Sequence, residues 1–207
     1  RPRVFQDSTS RSKLISIGPA PENMKVDLDA AFRDCVNLES IDSTFIAGGG
    51  TNNAASAFRS CTKLKSFPKI DTSNIGSFSE AWFGLNNLTN FPLIDTSNGT
   101  NFRAAWENCF SLTTFPQINT SSGTDFGLAW RSCGSLTEFP EIDTSNGTNF
   151  GTSWYNCSSL TEFPLIDTSN SSSFYYSWYN CSSLTEFPLI DTSSGTNFSG
   201  AWRLCNS

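Results

Sequence analysis

The chain has 207 residues, a net charge of −6, no histidine and 37 % apolar residues, of which 18 Phe and 6 Trp are the bulkiest part. A core can therefore be built from few, large side chains. The acidic balance disfavours nucleic acid and anionic membranes as partners. No apolar run approaches the ~20 residues of a spanning helix, so membrane insertion is not expected.

Residues 1–13 carry Arg1, Arg3, Arg11 and Lys13 against Asp7, a balance of +3. The remainder carries nine basic and eighteen acidic groups, −9. The first segment reads as a basic N-terminal arm, disordered or extended on its own, with Val4 and Phe5 as its docking residues. The chain starts at Arg1 and shows no signal peptide, which fits a processed or excised segment.

Residues 14–207 read as a single solenoid. An irregular part, 14–60, opens with a degenerate unit. Leu14 and Ile17-Gly18-Pro19 stand where Leu88 and Phe91-Pro92 stand later, and Ala31, Phe32 and Cys35 match Ala105, Trp106 and Cys109. The next unit, from Cys35, is 26 residues long and contains Gly48-Gly49-Gly50, a loop or bulge.

From Cys61 to Ser207 the period is a regular 24 residues. Leu recurs from Leu64 to Leu184, Phe from Phe67 to Phe187, Pro from Pro68 to Pro188, and Ile from Ile70 to Ile190. A second Phe recurs from Phe78 to Phe198, and Trp stands at Trp82, Trp106, Trp130, Trp154, Trp178 and Trp202. A period of this size marks a solenoid, because no unit so short buries its own apolar side. The expected fold class is an α/β repeat solenoid of about eight rungs, leucine-rich-repeat-like, with a parallel strand ladder and short helices opposite.

Within a rung, Ser-Leu-Thr-Glu-Phe is the expected strand, with the Pro ladder at or past its end. Leu and Phe lie three apart, which breaks the period of 2 and places a bend inside the segment. The segment Thr100 to Cys109 spaces Phe102, Trp106 and Cys109 at i, i+4 and i+7, the pattern of one helix face. The preceding Asp-Thr-Ser-Asn-Gly-Thr is turn and N-cap chemistry.

Cys61, Cys109, Cys133, Cys157, Cys181 and Cys205 share one repeat position, which Leu85 fills in another unit. A position that accepts Leu is an apolar slot, so buried thiols are favoured. Rungs about 4.8 Å apart leave bridging between neighbours sterically open. Zinc is disfavoured by the absence of His and of any Cys-x-x-Cys pair.

The repeat Cys-Ser-Ser-Leu-Thr-Glu-Phe-Pro-Leu-Ile-Asp-Thr-Ser-Asn-Gly-Thr-Asn-Phe-x-x-Ala-Trp resembles the BspA-type repeat of bacterial surface proteins, a branch of the leucine-rich repeats. The resemblance runs over 14–207. This chain departs from the family pattern in having Trp where Phe is usual, Phe where Met is usual, and a constant Pro. The resemblance implies an extracellular, cell-surface or virion-fibre setting with adhesive and structural roles, and it supplies no catalytic residues.

Candidate sites follow from the columns. Asp71, Asp95, Asn119, Asp143, Asp167 and Asp191 stack, and either bind calcium or, as favoured, cap turns. No other cofactor is expected. Glu138, Glu162 and Glu186 share one environment by construction, unlike the two differentiated carboxylates of a glycosidase, so no enzyme activity is expected. Of eight Asn-x-Ser/Thr sequons, Asn98, Asn146 and Asn170 stand at turns that a glycan can reach. Tyr155, Tyr175, Tyr176 and Tyr179 flank the Trp column and suit a sugar or protein partner.

Two functions fit these features. The first is a structural protein that stacks end to end, with Arg1, Arg3, Val4, Phe5, Leu14, Ile17, Trp202 and Leu204 as assembly contacts. The uncapped last rung and the matching strand at Leu14–Pro19 suggest it. The second is an adhesin or phage-fibre module that binds glycans or a surface protein on its solenoid face.

Overall fold

The computed structural model describes residues 8–19, 26–42 and 52–205. Arg1, Arg3, Val4, Phe5 and the three consecutive glycines lie outside these residues. Part of the expected extended arm is instead helical: α1 spans Ser8–Lys13 and ends in Arg11 and Lys13. It is tied to the first rung by a contact of 3.6 Å between Arg11 and Asp34. Asn37 Nδ2 also donates to the Ser12 carbonyl at 2.7 Å. Basic residues in the last turn of a helix suit its carbonyl end.

Two short strands, β1 (Ser16–Ile17) and β2 (Ser40–Ile41), pair in parallel with Ser16 opposite Ser40. The strand expected at Leu14–Pro19 thus rests on its own chain's next rung. Beyond it, Asn53, Ser77, Asn101, Asp125, Asn149, Ser173 and Asn197 form a column in which each makes a parallel bridge to the next. This in-phase bridging is the solenoid expected from the 24-residue period.

On one side of a rung the buried residues recur every third position: Cys109, Leu112, Phe115 and Ile118. The first step is a tight turn, Leu112 N–H to Cys109 O at 3.1 Å, and the rest lacks the alternation of a pleated strand. Proline next to the Phe fits this. Successive rungs are joined here by single bonds, such as Thr113 N–H to Thr89 O at 3.0 Å and Thr161 N–H to Thr137 O at 3.1 Å.

On the opposite side the expected short helices are absent from the described residues. Ala104 and Asn108 have positive φ (53° and 61°), and the same two positions recur as Leu128 and Ser132, Thr152 and Asn156, and Tyr176 and Asn180. A left-handed residue ends any α-helical turn. The N–H groups therefore alternate. Those of Ala105, Glu107 and Cys109 close tight turns onto Phe102, Ala104 and Trp106. Those of Phe102, Ala104, Trp106 and Asn108 donate to Asp125, Gly127, Ala129 and Arg131 in the next rung, at 2.8–2.9 Å. From Phe102 to Asn108 the backbone donors between rungs all point one way along the axis, which gives this segment a polarity.

The aromatic columns fill the space between the two sides. Trp82, Trp106, Trp130, Trp154 and Trp178 are buried and stack at 5.3–5.5 Å with planes within 10°. A ring of this size buries roughly 200 Å², an upper limit of about 5 kcal/mol at ~25 cal/mol/Å². The cysteines are free thiols inside this core. Cys61, Cys109, Cys133, Cys157, Cys181 and Cys205 also donate to a carbonyl of the previous rung, as in Cys133 Sγ to Trp106 O at 3.2 Å. Burial pushes the Cys109 and Cys157 thiols up to about 12.

Candidate binding surface

The turn between the two sides is built from side-chain capping. Oδ1 of Asp95 accepts from the Ser97 N–H at 3.0 Å and the Ser97 hydroxyl at 2.7 Å, and Asp143 and Asp167 repeat this with Ser145 and Ser169. These are Asx turns. The Ser97 N–H, then its hydroxyl, hold the Asp95 carboxyl below the usual range. Asn119 caps Ser121 in the same way, so the neutral amide serves as well as the carboxylate. Every Oδ1 named caps its own turn. Among the described residues, no group of three His, Cys, Asp or Glu is arranged to hold a metal ion.

Buried Thr72, Thr96, Thr120, Thr144 and Thr168 send their hydroxyls to the carbonyls of Asp95, Asn119, Asp143, Asp167 and Asp191, one rung on. Asn98, Asn146 and Asn170 are exposed at the turn. Each Nδ2 donates back to a serine carbonyl of the previous rung: Ser73 at 2.6 Å, Ser121 at 2.8 Å and Ser145 at 2.6 Å. A glycan attached there would leave one N–H for that bond. Glu138, Glu162 and Glu186 are exposed along the extended side.

The turn face carries the largest departure from repetition. All 4 tyrosines of the chain meet in one patch. Tyr155 and Tyr179 stack at 4.9 Å and 6°. Tyr175 meets Tyr176 edge to face at 4.5 Å, and Tyr176 lies 5.1 Å from Tyr179. The Arg131 guanidinium covers Tyr155 at 5.2 Å. Tyr175 is 45 % exposed, and its three partners are half-buried. The backbone makes room for the patch: Gly200 (φ 64°) lies so close that a Cβ there would fall 2.8 Å from the Tyr176 ring. The sequence placed these residues on one flank, and stacking of rungs brings Tyr155 of one to Tyr175, Tyr176 and Tyr179 of the next.

Three features have no counterpart in the sequence reading. Glu107 is buried and pairs with Arg131 at 3.0 Å. Burial raises its carboxyl above the usual range, and Arg131 opposes the rise. Glu80 pairs with Arg59, which also lies over the Phe83 ring at 4.2 Å. Third, Ser77 interrupts the Asn/Asp column at the rung bridges, as Ser173 does four rungs on. Its only trace in the sequence is a serine where Asn53 and Asn101 stand one unit either side.

The expected assembly contacts divide. Leu14 and Ile17 are half-buried against the core, whereas Trp202 (37 % exposed) and Leu204 (53 %) stand on the last described rung. The indole of Trp202 still stacks on Trp178 at 5.5 Å.

No protein-family model matches this chain, and no curated protein matches it in sequence. Among solved structures it is similar to a leucine-rich repeat protein from Eubacterium ventriosum ATCC 27560, at 17 % identity and a TM-score of 0.60. The match covers 94 % of this chain and 66 % of that one, so the chain spans just under two thirds of that protein. It is also similar to a leucine-rich repeat protein of T. pallidum, at 18 % identity over 95 % of this chain and 79 % of that one, with a TM-score of 0.43. The first likeness shows a leucine-rich-repeat solenoid fold. No described helix is long and apolar enough to cross a membrane.

Proposed function

We propose that this chain is a non-enzymatic, extracellular binding scaffold of the BspA-like kind, displayed at a cell surface or on a fibre, that holds a glycan or protein partner on its tyrosine patch. The observation that carries this reading is the gathering of every tyrosine of the chain onto one spot of an otherwise repeated surface. Tyrosine and arginine dominate the energetics of interfaces, because both present broad, stiff, partly apolar surface with a polar tip. Arg131 and the half-buried rings pre-order the patch, which lowers the entropy lost on binding. The test is binding of the intact chain to arrayed glycans and surface proteins, repeated with Tyr176→Ala and Tyr179→Ala. Loss of a hot-spot tyrosine is expected to weaken binding by ~30-fold, about 2 kcal/mol. A bound partner indifferent to both variants would sink the reading.

A second reading, end-to-end assembly into a fibre, is favoured by the face of the last described rung. The N–H groups of Phe198, Gly200, Trp202 and Leu204 find no acceptor among the described residues, and Leu189, on the extended side, is 98 % exposed. Such a face is a template for further rungs. The +3 arm would then lie along the −9 body of a neighbour. Sedimentation at low and high salt tests this: association that weakens with salt supports it. A chain that stays monomeric when concentrated at low salt removes it, as it would if further rungs of the same chain cover that face.

A further inference from the structure

The bridge column has gaps at Ser77 and Ser173, and the one at Ser77 opens onto a groove. Elsewhere in it, the side-chain oxygen of the Asn or Asp accepts from the N–H two residues on. Asn53 takes Ala55 at 3.0 Å, Asn101 takes Arg103 at 2.9 Å, Asp125 takes Gly127 at 2.9 Å, and Asn149 takes Gly151 at 2.9 Å. The same oxygen can accept from the amide of the next rung, as Asp125 Oδ1 does from Asn149 Nδ2 at 2.9 Å. The Ser77 hydroxyl, shorter by one atom, makes neither bond here. The Ser79 N–H and Asn101 Nδ2 consequently meet no acceptor among the described residues.

Both donors belong to residues that line one groove of about 620 Å³, together with Asn52, Asn53, Ala55 and Asn98. That volume falls within the ~300–1,000 Å³ of small-molecule sites. The lining is amide and hydroxyl, with no charged side chain. An ionised ligand would lose hydration there with no countercharge, and an apolar one would leave the donors unpaired.

We propose that this groove binds a neutral oligosaccharide bearing acetamido groups, whose amide carbonyl takes the place of the missing Asn Oδ1. An amide oxygen has two lone pairs, as the column's own side chains do, and so accepts from Ser79 N–H and Asn101 Nδ2 together. The acetamido methyl then rests toward Ala55. Neighbouring hydroxyls meet the Asn98 and Thr100 side of the groove.

The site is separate from the tyrosine patch, so the two fail independently. The experiment is a titration of the intact, ¹⁵N-labelled chain with tri-N-acetylchitotriose and, in parallel, cellotriose, which lacks the acetamido group. The expected result is a shift of the Ser79 backbone and Asn101 side-chain amides with chitotriose and not with cellotriose. Ser77→Asn restores the column's own residue and supplies the oxygen internally. It is expected to lower affinity at least about tenfold, the loss of two hydrogen bonds, without lowering the melting temperature. Ser173→Asn is expected to leave the affinity unchanged. The proposal is overturned by no shift at millimolar chitotriose, by equal binding of cellotriose, by undiminished binding in Ser77→Asn, or by loss of binding in Ser173→Asn. Should Ser77→Asn fold poorly, Ser79→Arg, which copies Arg103, fills the groove instead and carries the same expectation.

Discussion

Trp106 meets Phe115 edge to face, with ring centroids 4.8 Å apart and planes at 78°. The same pair recurs as Trp130 with Phe139 and Trp154 with Phe163. Trp106 comes from the turn side and Phe115 from the extended side, so this contact joins the two halves of a rung. It also bears on the indole N–H groups of Trp82 to Trp178, which are buried without an oxygen or nitrogen partner. The Phe ring is an electron-rich surface that weakly accepts such a group.

Replacing a central Trp should therefore cost more than replacing the terminal one. Trp130→Ala removes a buried ring stacked on both sides, with an expected loss of ~3–5 kcal/mol. Trp202→Ala, whose ring is 37 % exposed and stacked on one described side, is expected to lose less than half of that. Urea denaturation of the two variants measures the difference.

Thiol chemistry should single out one residue. Cys109, Cys133, Cys157 and Cys181 are fully enclosed, and burial raises the thiols of the first three. Cys205 is half-buried, so solvent reaches it more readily than the other four. Alkylation of the native chain at pH 8, read by peptide mass, is expected to label Cys205 first. Rapid labelling of Cys133 would contradict the packed core.

Arg131 should matter more at neutral than at acid pH. Burial raises the Glu107 carboxyl, so its ionised form depends on the Arg131 partner. Arg131→Met strands that charge at pH 7. The pair is partly exposed on the Arg side (41 %), so the expected cost is ~1–3 kcal/mol, below that of a fully buried pair. As pH falls below the raised value, Glu107 takes up a proton and the cost should shrink. Denaturation of wild type and variant at pH 7 and pH 4 gives both numbers.

The Asx turns carry the opposite sign. Hydrogen bonds from serine lower Asp95, Asp143 and Asp191, so their contribution is present above the unfolded value and lost as pH falls through the folded one. Ser97→Ala removes the hydroxyl but keeps the N–H. NMR titration should find the Asp95 carboxyl displaced upward in that variant, still short of an unbonded aspartate, with Asp143 unmoved.

Gly200→Ala should disturb the patch without touching a tyrosine. The residue has φ 64°, and a Cβ would meet the Tyr176 ring at 2.8 Å. A cost of ~1–2 kcal/mol is expected from the left-handed backbone alone. Ring-current shifts at Tyr176 report the displacement.

The linear sequence determined the stack. A 24-residue period of Leu, Phe, Ile, Trp and Cys permits one economical burial, in which like residues lie on like, and Leu64, Phe102, Trp130 and Cys157 are buried as that period requires. Asp and Ser two apart announced the capping turns for the same local reason. Tertiary structure decided the backbone between them. Phe102, Trp106 and Cys109 have helical spacing, yet left-handed residues at Ala104 and Asn108 produce the same inward face while sending alternate N–H groups to the next rung. Spacing reports which side chains face inward, and it is blind to where the N–H groups go. The groove at Ser77 was hidden for a related reason: a serine among asparagines has meaning only once stacking shows which donors it leaves open.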